Sequence, residues 1–283
     1  LGDVYKRQMT DKVPQARIYR AWSVAAYGNA DLDRLTLLSQ VLGGSKSSRL
    51  DRRLVFDEKL VDKVSTYVQP FELASTFYVT ADVKQGVDPA KVEAVLDEEI
   101  ARLLAEGPTA AELQQAQTVI KAQVVRGVER IGGFGGKADA LAECSVYTGN
   151  PGCYRDSLAT IERATASEVQ QAGRSWLGNG SHTLVVLPGE RTVLEEEPSP
   201  TPAPFVLPKP DPKFKAAKAT VDRSTGVPMP DSFPELKFPA LERATLGNGT
   251  RVILARRDAV PVVQFSYEFK GGFAADLGRK LGT

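Results

Sequence analysis

Strand-like patterns occur in four segments of the first 190 residues, and in three of them apolar and polar positions alternate, with Ala21 slightly out of phase in the first. Alternation with period two is typical of a strand with one buried face, since successive side chains point to opposite faces. It is clearest where Phe77, Val79, Ala81 and Val83 follow one another at every second position. The pattern predicts strands over residues 16–24, 61–68, 75–83 and 183–187.

Between these segments apolar residues recur every three or four positions, as on one face of an amphipathic helix. Start signals accompany several of them: Asp31 and Asp88 are predicted N-caps, and capping boxes begin at Thr109 and Thr165. Glycines at 43–44 and 107 supply stop signals. The predicted helices cover residues 31–42, 47–59, 88–106, 109–131, 137–147, 154–163 and 165–177.

Strands separated by runs of helices predict an α+β domain over residues 12–190, with a mostly antiparallel sheet covered by helices. The short link between the second and third predicted strands favours antiparallel pairing there. Residues 1–11 match no pattern that follows. We interpret them as an appended segment or a disordered terminus and leave them outside the predicted fold.

The composition changes beyond residue 190. Eleven of the eighteen prolines lie between Pro198 and Pro239, which predicts an extended linker over residues 191–240. The sequence from Leu246 to Gly249 contains Asn-Gly between two strand patterns, a hairpin signal, with strands predicted at 251–256 and 262–269. Two or three strands without a covering helix cannot bury a core. Residues 241–283 are therefore interpreted as the truncated start of a second domain.

Composition excludes some function classes. The formal net charge of +1 gives no basic excess for phosphate contacts, so no nucleic-acid partner is expected. No apolar run is long enough to predict a membrane span.

The chain has one histidine, His182, and two cysteines, Cys144 and Cys153. A zinc site needs three or four such ligands or carboxylates, so neither a metal site nor a catalytic residue is assigned. His182 is expected to be a surface residue at the end of a strand. Cys144 and Cys153 flank a tight turn between two predicted helices, so they are a possible disulfide, with two buried free thiols as the alternative.

Two further motifs are given structural interpretations. Glycines at 132–136 follow no strand and lack the lysine and serine of a phosphate-binding loop, so they predict a break between helices. Acidic runs at 97–99 and 195–197 are expected to be solvated surface.

Three segments resemble the insulinase/pitrilysin family of zinc peptidases. They are Gly-Gly-Ser-Lys-Ser-Ser-Arg-Leu at 43–50, Glu-Arg-Ile-Gly-Gly-Phe-Gly-Gly-Lys at 129–137, and the sequence from Lys237 to Leu254. The resemblance implies a domain like those of mitochondrial processing peptidase and LuxS. It also implies that residues 12–190 are a non-catalytic second domain and that residues 241–283 begin the third, so the chain would be an internal fragment.

Family members carry an inverted zinc motif, H-x-x-E-H, in another domain, and no such motif occurs in this chain. The resemblance thus implies a substrate-enclosing part of a zinc metalloendopeptidase, inactive in proteolysis alone. Zinc and the catalytic domain would belong to the rest of the same polypeptide, and a peptide would be the substrate. It further implies a bacterial periplasm or cell-envelope location.

In many active relatives an arginine and a tyrosine, seven residues apart after the glycine turn, steady the substrate carbonyl. Aligned through residues 47–50, this sequence has Val55 and Asp62 at those positions, and neither can donate to an oxyanion. The alternative is a non-enzymatic structural or peptide-binding subunit of the same fold. An intact zinc motif about 250 residues upstream in the gene would favour the peptidase.

Overall fold

The computed structural model describes residues 5–178, 180–191, 237–258, 261–269 and 271–272. It also describes isolated positions at 206, 207, 209, 211–213, 222–224, 226, 229, 232, 235, 278 and 280. The chain divides into two units, residues 1–192 with 259–283, and residues 193–258. Most of the predicted linker 191–240 and the whole acidic run 195–197 lie outside the described residues, and the predicted domain boundaries stay predictions.

The first unit contains a five-stranded sheet in the order β1-β5-β2-β4-β3. Three of its four strand pairs are antiparallel, and only β1 and β5 run parallel. This confirms the predicted α+β class with a mostly antiparallel sheet. The strands are β1 Tyr5–Asp11, β2 Arg17–Val24, β3 Val61–Gln69, β4 Ser75–Val83 and β5 His182–Pro188.

Helices accompany this sheet in the first unit, and a short π-helix, Asp51–Asp57, follows the first of them. The α-helices are α1 Ala30–Gly43, α2 Pro89–Glu106, α3 Ala110–Gly127, α4 Lys137–Thr148, α5 Cys153–Arg163 and α6 Ala166–Leu177. The predicted Asp88 cap and both capping boxes are confirmed. The predicted Asp31 cap is wrong: the Asn29 side chain caps α1 by accepting a hydrogen bond from the Asp31 amide.

One hydrophobic core lies between the sheet and the helices. Every second side chain of β4 is buried, which is the alternation expected of a strand packed on one face. Helix α1 contributes most to this core, with eight buried residues including Leu35, Leu38 and Leu42. Trp22 meets Phe77 edge-on at 5.8 Å between ring centroids. Such aromatic pairs add stability beyond the area that they bury.

The glycine turn after α1 allows α1 to lie close to strand β3. A Cβ atom at Gly43 would lie 2.8 Å from Cγ2 of Thr66. The Thr66 hydroxyl donates to the Ser39 carbonyl at 2.5 Å, so strand and helix are also joined by a buried hydrogen bond. A side chain at residue 43 would therefore separate α1 from β3. In place of the helix predicted over 47–59, the structure has a shorter π-helix over Asp51–Asp57, which has more residues per turn than an α-helix.

Two predictions about the ends of the chain need correction. Tyr5–Asp11 do not lie outside the fold but form β1 beside β5. Their side chains are almost all exposed, so backbone hydrogen bonds hold the strand without a hydrophobic signal. Residues 262–269 alternate but are not in a strand. Alternation indicates which side chains share one face, but it does not show that a partner strand is present. A strand's hydrogen bonds form only where a neighbouring strand is available.

In the second unit, β6 Leu241–Thr245 and β7 Arg251–Ala255 form an antiparallel hairpin. The Leu246 amide donates to the Thr250 carbonyl and closes the predicted turn, and Gly249 has a φ of 85°. The hairpin prediction is thus confirmed. No helix among the described residues has the length and apolar character needed to cross a membrane.

Candidate functional site

The single histidine lies at the first position of β5, and its side chain is exposed. This confirms the expected surface position of His182. Nowhere in the described ranges do three or more His, Cys, Asp or Glu side chains come together as a metal site would require. The residues present therefore do not fit the zinc that the family resemblance associates with the parent enzyme.

Val55 and Asp62 are the residues that the alignment through residues 47–50 places at the substrate-steadying positions of active relatives. Val55 belongs to the π-helix and packs against the core, and Asp62 is an exposed residue of β3. The Asp62 carboxylate accepts a hydrogen bond from the Gln15 amide at 3.1 Å. An apolar side chain and a carboxylate cannot stabilise a developing negative charge, so this arrangement has no oxyanion-stabilising pair.

The glycine cluster 132–136 lies between α3 and α4, as predicted. Gly133 and Gly135 have positive φ values of 79° and 73°, a conformation that glycine adopts without steric cost. The Gly135 amide donates to the Asp139 carboxylate in the first turn of α4 at 2.8 Å. Helix α3 ends at Gly127, four residues before the predicted end at 131.

The acidic run 97–99 is not uniformly solvated, which corrects the expectation. Asp97 and Glu98 are exposed, but Glu99 is only 2% exposed. Its two carboxylate oxygens accept from Arg53 at 3.0 Å and from Arg102 at 2.6 Å. Burial of a charged side chain requires such paired partners. Arg53 comes from the π-helix, 46 residues away in sequence, so no local pattern marks the pair.

Cys144 in α4 and Cys153 at the start of α5 are joined by a disulfide, with their Cα atoms 5.4 Å apart. The bond links the two helices across a turn that ends at Gly152. The Tyr27 hydroxyl lies 3.8 Å from each sulfur. The Tyr27 ring also packs against Tyr147 of α4, with 5.0 Å between centroids. The loop before α1 is thereby attached to the α4–α5 hairpin.

A cavity of about 750 Å³ opens beside this disulfide. Its walls come from α1, α3, α4 and α5 and from the loops before α1 and after β3. Apolar side chains such as Leu32, Val68, Val124 and Ile161 form most of the wall. A cavity of this size and character is typical of small-molecule sites.

Three acidic side chains, Asp33, Glu143 and Asp156, also line the cavity, whereas no lysine, arginine or histidine lines its described wall. The Ser157 hydroxyl of α5 donates to Asp33 of α1. Burial raises the pKa of Asp33, and this hydrogen bond and the nearby Arg34 oppose the shift. Burial, with the nearby Asp139 charge, also raises the pKa of Glu143.

The charges of both carboxylates, Asp33 and Glu143, act on Tyr27. Burial raises its pKa to about 12, with further contributions from the charges of Glu143 and Asp33. The phenol therefore stays protonated at neutral pH and keeps a donor at the cavity wall. Sequence reasoning missed this cluster, because Asp33 and Ser157 are 124 residues apart and neither lies in a motif.

The first unit is an α+β domain, and its described residues hold no cluster of metal ligands. Residues 2–120 match the family model described as the peptidase M16 inactive domain. That match covers less than half of the 283 residues. No curated protein matches the chain.

Solved structures show the same fold. A protease from Helicobacter pylori is 19% identical over 65% of this chain and 44% of its own, with a TM-score of 0.58. The inactive peptidase domain of a putative zinc protease from Bordetella parapertussis is 19% identical over 66% of this chain and 98% of its own, with a TM-score of 0.56. The periplasmic protease PqqL from Escherichia coli is 12% identical over 67% of this chain and 21% of its own, with a TM-score of 0.51.

These findings support the resemblance inferred from the sequence: residues 2–120 match the model of the M16 inactive domain, and the fold is similar to that of solved inactive peptidase domains. The chain spans less than half the length of the H. pylori protease.

Proposed function

We propose that this chain is the substrate-enclosing part of a zinc metalloendopeptidase, working beside a catalytic domain of the same polypeptide. The match of residues 2–120 to an inactive M16 domain carries the proposal. The inventory of one histidine and a bonded cysteine pair supports it, because a hydrolytic metal centre needs three or more protein ligands. Zinc and the groups that activate water would belong to the catalytic domain.

The outer edge of β3 is the surface that we assign to the peptide. Strand β3 is the last strand of the described sheet and pairs only with β4 there, so its other edge has backbone donors and acceptors available. An extended peptide adds to such an edge through main-chain hydrogen bonds that do not depend on its sequence. Tyr67 is 43% exposed on this strand and stacks on Tyr78, which gives the edge an aromatic contact surface.

The opposite edge of the sheet is formed by β1, which follows β5 in parallel. Lys6 of this strand pairs with Glu93 of α2 at 2.6 Å. Strand β1 thereby covers the edge of β5 and is itself the other outermost strand of the described sheet. The stacked Tyr67 and Tyr78 distinguish the β3 edge from it, so the two edges provide an internal comparison for peptide binding.

Hydrogen exchange with mass spectrometry tests this assignment on the whole chain. We expect an extended ten-residue peptide to slow exchange in β3 and to leave β1 unchanged, with the peptide recovered intact. A matched peptide with alternate N-methylated amides should lose the effect, because it cannot donate the ladder hydrogen bonds. Equal protection by both peptides, or none by either, would contradict peptide addition at β3.

Recovery of the peptide as cleaved fragments would contradict the non-catalytic assignment itself.

A bacterial periplasmic location belongs to the same proposal. It is supported by the disulfide, which persists in oxidising compartments, and by the fold shared with a periplasmic protease. Fractionation of expressing cells with an antibody to this chain tests that location. Recovery in the cytoplasm with reduced cysteines would contradict it.

A further inference from the structure

The cavity between α1, α3, α4 and α5 shares only Val68 with strand β3, and the peptide proposed for that strand would use its backbone edge instead. We propose that it is a binding site for a small organic cation, a molecule with an apolar body and one amine or guanidinium group. The volume of about 750 Å³ lies within the range of cavities that enclose drug-sized ligands.

Charge complementarity selects a cation. Asp33, Glu143 and Asp156 line the cavity, and its described lining includes no basic side chain. The nearest arginine to Asp33 along α1 is Arg34, which is engaged with Asp31 at 2.9 Å and Glu168 at 3.2 Å. Among the described residues no hydrogen bond or ion pair engages the Glu143 carboxylate. An ammonium group would supply the positive partner that this wall lacks.

The apolar wall selects an amphiphile over a simple inorganic ion. Leu32, Val68, Val124 and Ile161 would bury an aliphatic or aromatic body, which contributes binding free energy in proportion to the apolar area removed from water. A metal ion would gain nothing from this surface, and metal ions favour clusters of three or more oxygen, nitrogen or sulfur ligands. No such cluster occurs in the described part of the chain.

The position of Tyr27 fixes where the charged end would lie. Its ring lines the cavity, and its hydroxyl lies beside the disulfide and experiences the charges of both Glu143 and Asp33. Raised carboxyl pKa values at Asp33 and Glu143 reflect burial, which a bound cation would offset. The ammonium would therefore lie among these three side chains, with the apolar body extending along α3 and α5.

Isothermal titration calorimetry with three matched probes tests the proposal: 4-phenylbutylamine, 4-phenylbutanoate and 4-phenylbutanol. We expect one amine per chain, with at least about tenfold weaker binding of the anion. Asp33→Asn and Glu143→Gln should each weaken amine binding several-fold. Asp57→Asn, an exposed acid outside the cavity, should leave the affinity unchanged.

Two variants of α4 locate the site by steric blocking. Ala140 lines the cavity, whereas Ala138 is exposed on the same helix. Ala140→Phe should abolish amine binding, and Ala138→Phe should retain it, with circular dichroism confirming that both chains are folded. Two-dimensional NMR of the wild type should show amine-induced shifts at Tyr27 and Ser157.

Several results would overturn the proposal. They are equal binding of the three probes, retained binding by Ala140→Phe, or no binding by the wild type. A peptide containing leucine, lysine and leucine is the final arm. If this peptide binds at the cavity and 4-phenylbutylamine does not, the ligand would be a peptide side chain. That result would contradict the assignment of a small organic cation.

Discussion

Helix α1 and the α4–α5 hairpin are held in the same unit by different means. Eight residues of α1 are buried, whereas α4 and α5 each bury one, Cys144 and Ile161. The first region depends on hydrophobic packing against β3 and β4. The second depends on a disulfide, on Tyr27 and on a glycine-rich connection. The cavity lies between these two regions, with walls from both.

This difference between the two regions accounts for the position of the cavity. A closely packed core defines the sheet and its edges independently of the hairpin. The hairpin can then form a wall of the cavity without contributing much to the stability of the core. Although the Ser157–Asp33 hydrogen bond joins the two regions, we expect perturbations at sites that share no contacts to have nearly additive effects.

The largest expected effect is that of Phe77→Ala in β4. Phe77 is fully buried, so its truncation leaves a cavity and should lower the free energy of unfolding by about 4 kcal/mol. Phe134→Ala is the matched control, because Phe134 lies in the glycine-rich connection and is 96% exposed. This substitution should change the free energy of unfolding by less than about 0.5 kcal/mol. Urea denaturation measures both. Similar losses in the two variants would remove the distinction between the regions.

The next effect concerns the disulfide. The double variant Cys144→Ser, Cys153→Ser removes a cross-link between residues nine positions apart in sequence. In the chain-entropy model this lowers the free energy of unfolding by about 2.5 kcal/mol. We expect exchange of amides in α4 and α5 to accelerate, while α1 and β4 exchange as in the wild type. Hydrogen exchange resolved by segment is the measurement. Loss of protection throughout the unit would show that the hairpin is part of the cooperative core.

A smaller effect is expected at Arg49 and Glu112, which join the start of the π-helix segment to the first turn of α3. The Arg49 guanidinium donates to both oxygens of Glu112, at 2.7 and 2.8 Å. These hydrogen bonds, with those from Thr109, lower the pKa of Glu112 from 4.5 to about 2. Because the folded-state pKa is depressed, this contribution to stability is complete above pH 4.5 and is lost as the pH falls toward 2.

Glu112→Gln should therefore cost about 1 kcal/mol at pH 7 and progressively less at lower pH. Urea titrations of the variant and the wild type at pH 7, 5 and 3 provide the measurement. Glu168→Gln is the matched control, since Glu168 occupies the corresponding position in the capping box of α6 but is partnered by a more exposed arginine than Arg49. A loss at Glu112→Gln that is independent of pH would contradict the pKa assignment.

An effect no larger than that of Glu112→Gln is expected for Ser157→Ala, which removes a hydrogen bond between α1 and α5. The loss should be about 1 kcal/mol. That hydrogen bond lowers the pKa of Asp33, so the variant should raise this pKa further. Carboxyl carbon NMR titration follows the change, with Glu112 as an internal reference. An unchanged Asp33 pKa would show that the hydroxyl does not stabilise the carboxylate.

Local signals in the sequence predict much of the fold. The capping boxes at Thr109 and Thr165 and the alternation around Phe77 depend on neighbours along the chain, so they can be recognised without tertiary information. Strand β1 could not be predicted, because its exposed side chains have no hydrophobic pattern and its position depends on the backbone of β5. The π-helix also follows from tertiary context rather than from residue spacing.

The candidate site was less accessible to sequence reasoning. The two cysteines indicated where α4 and α5 meet, since only one pairing is possible. Asp33 looked like an ordinary polar position near the start of α1, and Glu143 like one of α4. Their shared environment arises only when the four helices assemble. The buried Glu99 was misjudged for the same reason, because its partner Arg53 is distant in sequence.

Metal analysis of the purified chain, paired with a cleavage assay, tests the non-catalytic assignment most directly. After incubation with zinc and exhaustive dialysis, we predict far less than one equivalent of zinc per chain and no fragments from a mixed peptide library. One tightly bound equivalent of zinc together with peptide cleavage would contradict the account.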